Sequence, residues 1–385
     1  MKVDDLVLTK SLGKGAFGEV FLTQKEGYKG FFATKRLDRA FSEKPENIKR
    51  LSNEISILKK INHPNIVRLI DLKKTKSHCY IVMEYCNGGD LSGCLKKYKA
   101  LHRRPFSEEI VQYIMRQVVN GLEFLHSNKI IHRDLKLDNI LVTFNSEVDK
   151  NSLNMMKAIV KIIDFKFAKK LAKGLTYTVL GTPTNMDPQI LQNMETRNQS
   201  GYDEKADIWS LGTLCYEMLV GHMAFSANSM EELYQKVKQG TYSLPSNLSE
   251  EVVSFINGML QKDPNKRLSA KQLKNHDFLI KNIGQFRPVD VRKIPATVGP
   301  GGMLNFNTNT NNKNQNLYET VWDIFAEPMN QQSVTVNRQV GIPIQQNPLA
   351  LNLGQDFYMM PQIVQQQPQY QYMGTGVMPM MKTGY

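Results

Sequence analysis

His132-Arg133-Asp134-Leu135-Lys136-Leu137-Asp138-Asn139, followed by Ile140-Leu141-Val142, is the stretch on which the fold turns. Charged residues at fixed spacing run directly into a short β-favouring apolar run, which predicts a charged loop leading into a strand. The residue types suit phosphoryl transfer to a hydroxyl. Asp134 offers a carboxylate that orients an attacking hydroxyl. Lys136 offers a cation near the transferred group, and Asn139 a neutral oxygen ligand for a magnesium ion. A merely charged loop would account for the composition but not for this order, so the flanking motifs decide.

Upstream, Gly13-Lys14-Gly15-Ala16-Phe17-Gly18-Glu19-Val20 sets Gly13, Gly15 and Gly18 at a spacing that lets backbone amides approach phosphates. Dinucleotide-binding folds use the same spacing but need a helix next. Here Val20-Phe21-Leu22 reads as a second strand, so a hairpin over phosphates is expected. Fifteen residues beyond Val20, Phe32-Ala33-Thr34 leads to Lys35. A lysine among apolar strand residues is costly unless its charge meets a partner, and Glu54 is the candidate. Glu54 falls in a segment where Ile48, Leu51, Ile55 and Leu58 recur at helical steps.

Leu6-Val7-Leu8, Phe31-Phe32-Ala33 and Tyr80-Ile81-Val82-Met83 add short strand-like runs. From about residue 107 the period turns helical, through Ile110, Ile114, Val118, Leu122 and Leu125. The expectation is an α+β, bilobal chain. A small β-rich lobe with one helix (about 1–85) precedes a larger helical lobe (about 86–280).

Taken jointly, these motifs resemble eukaryotic protein kinases of the serine/threonine type, continuously over about residues 6–280. The resemblance implies ATP and Mg²⁺ as cofactors and protein substrates as partners. It implies that Gly13, Lys14, Gly15 and Gly18 cover the phosphates while Lys35, paired with Glu54, grips them. Adenine is expected between Val20, Ala33 and Leu141, on the hinge Glu84-Tyr85-Cys86, with Met83 as gatekeeper and Asp90 at the ribose. Asn139 and Asp164 are the expected metal ligands, and Asp134 and Lys136 the catalytic pair. Lys136, and Thr182 in Gly181-Thr182-Pro183, carry the serine/threonine character. Asp207-Ile208-Trp209-Ser210-Leu211-Gly212 and Arg267 are further landmarks. Glu84–Leu91, the long segment Asn145–Lys157 and Phe165-Lys166-Phe167-Ala168-Lys169 resemble the Unc-51-like, autophagy-initiating branch.

Three positions depart from the family pattern. Asp164-Phe165-Lys166 carries lysine where glycine is usual, which restricts backbone switching and brings a cation toward a metal site. Asp187-Pro188-Gln189 replaces Ala-Pro-Glu, so Arg267 is expected to be buried against a neutral Gln189. Asn185 stands where tyrosine is common. Lys166 and Gln189 together raise the alternative of a pseudokinase scaffold that binds nucleotide or partners without efficient catalysis. Arg133, beside Asp134, suggests activation by phosphorylation of the loop at Thr176, Tyr177 or Thr178, with Thr178 favoured.

The remaining sequence is less specific. The net charge of +13 is scattered, without a nucleic-acid-binding signature. No apolar run is long enough to span a bilayer and the first residues lack a secretory pattern, so a cytoplasmic address is expected. Cys79, Cys86, Cys94 and Cys215 lack metal or disulfide spacing and read as small buried hydrophobes. Of 49 basic and 36 acidic residues, seven and five lie in 281–385, a Gln/Asn/Pro/Met-rich tail expected to be disordered. Within it, Tyr318-Glu319-Thr320-Val321-Trp322-Asp323-Ile324-Phe325 suggests a docking segment over 316–328.

Overall fold

The computed structural model describes residues 1–282, other than 16–17, 39–44, 172–175, 177–180 and 197–200, together with Gly284 and Val334–Thr335. Thr178, Tyr177 and the 316–328 segment fall outside the described residues.

The alternating runs near the start become an antiparallel sheet. It contains β1 (Lys2–Val3), β2 (Leu6–Gly15), β3 (Gly18–Lys25), β4 (Phe32–Asp38), β5 (Leu69–Lys74) and β6 (His78–Glu84), in spatial order β1-β2-β3-β4-β6-β5. Val334–Thr335 extends the same sheet beyond β5. Because strand side chains alternate between faces, Tyr80 and Val82 join Val3, Leu6 and Leu8 in a small cluster on one side. Cys79 and Ile81 belong to the main core on the other. Helix α1 (Pro45–Leu58) brings buried Leu51, Ile55 and Leu58 to that core, as their spacing predicts.

The second lobe is built on α2 (Leu91–His102) and α3 (Glu108–Ser127). Ser107 caps α3 by accepting from the Ile110 amide, with Glu108 and Glu109 in the first turn, where acidic residues favour the positive end of the helix. Ile110, Ile114, Val118, Leu122 and Leu125 are all buried along its inner face. Each contributes about 1.5–3 kcal/mol of apolar burial. Short strands lie beside it, of which the sequence anticipated only the run at Ile140-Leu141-Val142. These are β7 (Gly89–Asp90), β8 (Ile130–Ile131), β9 (Ile140–Phe144), β10 (Ala158–Ile162) and β11 (Lys169–Lys170), in sheets ordered β10-β9-β7 and β11-β8. Runs of two to five residues are too short to establish an alternation of their own. The 145–157 segment between β9 and β10 holds the short helix α4 (Glu147–Asn151).

Then follow α5 (Pro188–Thr196), α6 (Lys205–Val220), α7 (Met230–Gln239), α8 (Glu250–Met259), α9 (Ala270–Lys274) and α10 (Asp277–Ile280). Helix α6 is buried almost all round, and Trp209 within it stacks on Phe225 at 5.5 Å between ring centroids. All four cysteines are buried free thiols, as their isolation implied.

Candidate active site

The glycine-rich segment is a hairpin between two strands, with Gly13 opposite Val20, Lys14 opposite Glu19 and Gly15 opposite Gly18. No helix follows, so the dinucleotide-fold alternative falls. Gly18 has a φ of +138°, and a β-carbon there would meet the Arg36 carbonyl at 2.1 Å. Only glycine fits that approach. Strand register pairs the other residues expected at the nucleotide within each of two sheets. Val20 lies opposite Lys35, and Ala33 opposite Met83. Asp90 lies opposite Leu141 in the second lobe.

Lys35 Nζ lies 3.5 Å from Glu54 Oε1, joining β4 to α1 across a largely buried gap. Glu84, expected in the hinge, is the last residue of β6, and Cys86 lies two residues beyond it. The Glu84 carboxylate accepts from the Arg68 amide at 2.7 Å and pairs with Lys161 at 3.1 Å. Burial raises the Cys86 thiol pKa, so this cysteine is a packing residue in its thiol form. Asp90 caps α2, accepting from the Gly93 amide at 2.7 Å, a structural task beside the ribose role expected of it.

The loop that begins at His132 hangs from a carboxylate 75 residues away in sequence. Asp207 accepts from the backbone amides of His132 and Arg133, each at 2.8 Å, and pairs with His126 Nε2 at 2.9 Å. Burial alone would raise the Asp207 pKa, but His126, His132 and these amides hold it below the ordinary carboxylate value. Arg133, with φ at +70°, puts a left-handed turn in the chain immediately before Asp134.

Asp134 is held at both oxygens. Thr182 Oγ1 donates to Oδ1 at 2.7 Å, and Asn139 Nδ2 donates to Oδ2 at 3.0 Å. Lys136 Nζ donates to Thr182 Oγ1 at 2.9 Å and lies 3.8 Å from Asp134 Oδ2. Thr182 therefore belongs in the site, although the sequence offered it only as a marker of substrate class. Its signal was the Gly181-Thr182-Pro183 tripeptide. Gly181, with φ at +126°, lets the chain pass within 2.7 Å of the Arg133 carbonyl, measured from the position a β-carbon would take.

Asn139 also donates to the Asp134 carbonyl at 2.7 Å, so its amide nitrogen is engaged and its oxygen is the end left for a cation. The Ile163 amide donates to the Asn139 carbonyl at 2.9 Å, which ties the backbone just before Asp164 to that of Asn139, and Asp164 itself has φ at +67°. An amide oxygen and a carboxylate are hard donors that fit magnesium, with phosphate oxygens completing its shell. Among the described residues no cluster of three or more His, Cys, Asp or Glu could hold a metal alone. Lys166 Nζ lies 2.6 Å from Asp164 Oδ2. Burial pushes the Asp164 pKa up, but Lys166, Lys35 and His132 outweigh it and hold the carboxyl below its ordinary value.

The glycine lost at position 166 was not needed for conformation here. Lys166 sits in a 3₁₀ turn (Phe165–Phe167) and is absent from the positive-φ residues. Phe165 is fully buried, edge-on to His132 with centroids 5.2 Å apart. The expectation for Gln189 is corrected more sharply. Arg267 is buried, but its partner is charged: Nη1 forms an ion pair with Asp187. Gln189 instead donates to the Gly201 carbonyl at 2.9 Å. Asn185, the third departure, donates to Thr213 Oγ1 at 2.9 Å in a buried polar contact.

Thr176, one of the three phosphosite candidates, is fully buried. Its hydroxyl accepts from Lys169 Nζ at 3.1 Å and from Arg133 at 3.4 Å. Burial, Arg133 and Lys49 all depress the Lys169 pKa.

The chain belongs to the protein kinase family, whose protein kinase domain description matches residues 6–279. Its relatives place that domain in the serine/threonine class. It is 37% identical over 291 residues to the serine/threonine-protein kinase atg1 of Dictyostelium discoideum, covering 72% of this chain and 40% of that one. It is 34% identical over 284 residues to the serine/threonine-protein kinase ATG1c of Arabidopsis thaliana, covering 72% and 36% respectively. A probable myosin light chain kinase of Dictyostelium discoideum is 31% identical over 287 residues, covering 73% of this chain and 85% of that one. The chain thus spans about two fifths of the length of the two ATG1-named relatives. The match to kinases with those names agrees with the resemblance to the Unc-51-like branch.

Proposed function

We propose that this protein is an ATP-dependent serine/threonine kinase, working with magnesium on protein substrates in autophagy-type signalling. The observation that carries the reading is the double restraint on Asp134 by Thr182 and Asn139, with Lys136 alongside. Each carboxylate oxygen retains a lone pair beyond the bond it accepts, so Asp134 can still take a hydrogen bond from a substrate hydroxyl. As that oxygen bonds to the γ-phosphorus, the bond from phosphorus to the β-phosphate oxygen breaks, and the hydroxyl proton leaves by way of Asp134. Lys136 neutralises charge on the transferred group, and Lys35 meets the α- and β-phosphates. Asn139 and Asp164 would hold magnesium, which supplies charge neutralisation on the phosphates. Gly13, Lys14, Gly15, Gly18, Val20, Ala33, Met83, Glu84, Cys86, Asp90 and Leu141 complete the nucleotide site on this reading.

Two further parts belong to the proposal. Activation proceeds by phosphate on Thr178, paired with Arg133 and Lys169, since Thr176 is buried against the same cations. The kinase domain ends near residue 280, and the tail docks a partner through 316–328. A cytoplasmic address fits the fact that no helix among the described residues is long and apolar enough to cross a membrane.

The test is transfer of labelled phosphate from ATP to a generic protein substrate by wild type and Asp134→Asn. A loss of at least about 10²-fold in the variant is expected. Equal rates in the two proteins would reject the assignment. Silence in wild type that carries the activating phosphate, with nucleotide binding intact, would favour the pseudokinase scaffold, which nothing among the relatives' names supports.

A further inference from the structure

Position 166 has a consequence beyond the kinase reading, on which it rests. The Lys166 ammonium lies 2.6 Å from the carboxylate expected to bind metal, and 5.1 Å from the centroid of the Phe167 ring. The turn that carries it is anchored by buried Phe165. The Asn53 side chain donates to the Ala168 carbonyl at 2.6 Å and ties the end of that turn to α1. The backbone of residue 166 is therefore held two positions from Asp164 in an anchored turn, and the Lys166 side chain remains about one quarter exposed, leaving it a route into water. Lys35 acts on the same carboxylate electrostatically. A carboxylate partnered by a tethered ammonium is already compensated when nucleotide arrives.

We propose that Lys166 is a resident cation of the phosphate end of the cleft. It competes with divalent metal for Asp164 and lends its own charge to nucleotide binding when metal is absent. Two effects of opposite sign follow. Metal must displace the ammonium from Asp164, so metal affinity is weakened. Nucleotide without metal still meets two lysines near Asp164, so its binding depends less on metal.

The experiment uses the full chain, with Mn²⁺ binding followed by electron paramagnetic resonance in the presence of a saturating non-hydrolysable ATP analogue. Binding of the same analogue in EDTA is followed by calorimetry. Lys166→Met removes the charge while keeping length and a β-carbon; Lys166→Gln is the second variant should the first fold poorly. Removing the competitor is expected to tighten Mn²⁺ about tenfold, equivalent to ~1.4 kcal/mol. Metal-free nucleotide binding is expected to weaken severalfold. In an Asp164→Asn background, where the contested carboxylate is gone, the Mn²⁺ effect of Lys166→Met should disappear.

Mn²⁺ affinity within twofold of wild type, or an equal effect in the Asp164→Asn background, overturns the proposal while leaving the kinase reading intact. Failure of wild type to bind the analogue with or without Mn²⁺ overturns both. Because these are binding measurements, they do not require the activating phosphate.

Discussion

Asp187→Asn isolates the charge of one buried carboxylate with little change in shape. Asp187 serves two masters in the structure: it accepts from the Gln189 amide at 2.7 Å at the start of α5, and it forms the ion pair with Arg267. Asparagine caps a helix as well as aspartate does, so the substitution spares the first contact and removes the charge from the second. Arg267 is left buried, with its guanidinium 5.1 Å from the Trp209 ring centroid. It keeps bonds to the carbonyls of Gln261 at 2.6 Å, Lys205 at 2.9 Å and Lys262 at 3.3 Å. Breaking a buried pair on one side costs about 3–5 kcal/mol, and three retained carbonyls place this case near ~3. For a domain of this size that corresponds to a fall in Tm of about 6–12 °C. Urea unfolding followed by tryptophan fluorescence would measure it. Adding Gln189→Glu restores a carboxylate two residues away, and the double variant should recover more than half of the loss. A stability change below about 0.5 kcal/mol in Asp187→Asn would show that Arg267 does not depend on this carboxylate, and the reasoning fails.

Thr182→Ala removes the donor to Asp134 Oδ1 and the acceptor of Lys136 together. A hydrogen bond to a charged group is worth about 1.5–3 kcal/mol, so kcat should fall about 10- to 150-fold, with Thr182→Ser retaining most of the rate. His276 caps α10 by accepting from the Phe278 amide through Nδ1 at 3.1 Å, which requires the unprotonated ring. Burial lowers its pKa below the ordinary 6.5. The unfolded chain therefore takes up the proton first. This contribution to stability is complete above about pH 6.5 and is lost as pH falls through that value toward the lower folded pKa. His276→Asn keeps a cap that does not titrate, so the drop in Tm between pH 7.5 and 5.5 should be smaller in the variant than in wild type.

The parts of this molecule that could be read from sequence are those whose function is local. His132 to Asn139 carries three candidate groups within eight positions, so their nearness follows from the sequence even though Asp207 anchors the loop from afar. The α1 and α3 faces were equally legible, because an apolar residue every three or four positions needs no knowledge of what it packs against. What was missed depends on pairs far apart. Thr182 meets Asp134 across 48 positions, and Arg267 meets Asp187 across 80. A signal for the second did exist. The same tripeptide that loses a carboxylate at 189 gains one at 187, and a paired change within one turn suggests displacement of a charge rather than its loss. The direction of Lys166 was open for another reason: a flexible side chain beside a cleft has several rotamers, and only the carboxylate it meets selects one.

The buried carboxylates divide by the kind of donor that satisfies them, and that division bears on activity. Asp207 and Asp187 are almost wholly buried and draw on backbone amides, with a histidine in one case and an arginine in the other. Breaking either arrangement would require the chain itself to move, so these residues fix shape. Asp134 and Asp164 are met at the carboxylate by a hydroxyl, a side-chain amide and ammonium groups, all of which can turn aside for substrate or metal. The Asp187-for-Gln189 exchange lies wholly within the first group. It preserves the anchoring of the segment that presents Thr182, and it therefore gives no reason to doubt catalysis. Lys166 lies in the second group, where a partner is exchangeable by design of the donor set. Its expected effect is a shift in how readily metal is bound rather than the loss of a group on which transfer depends.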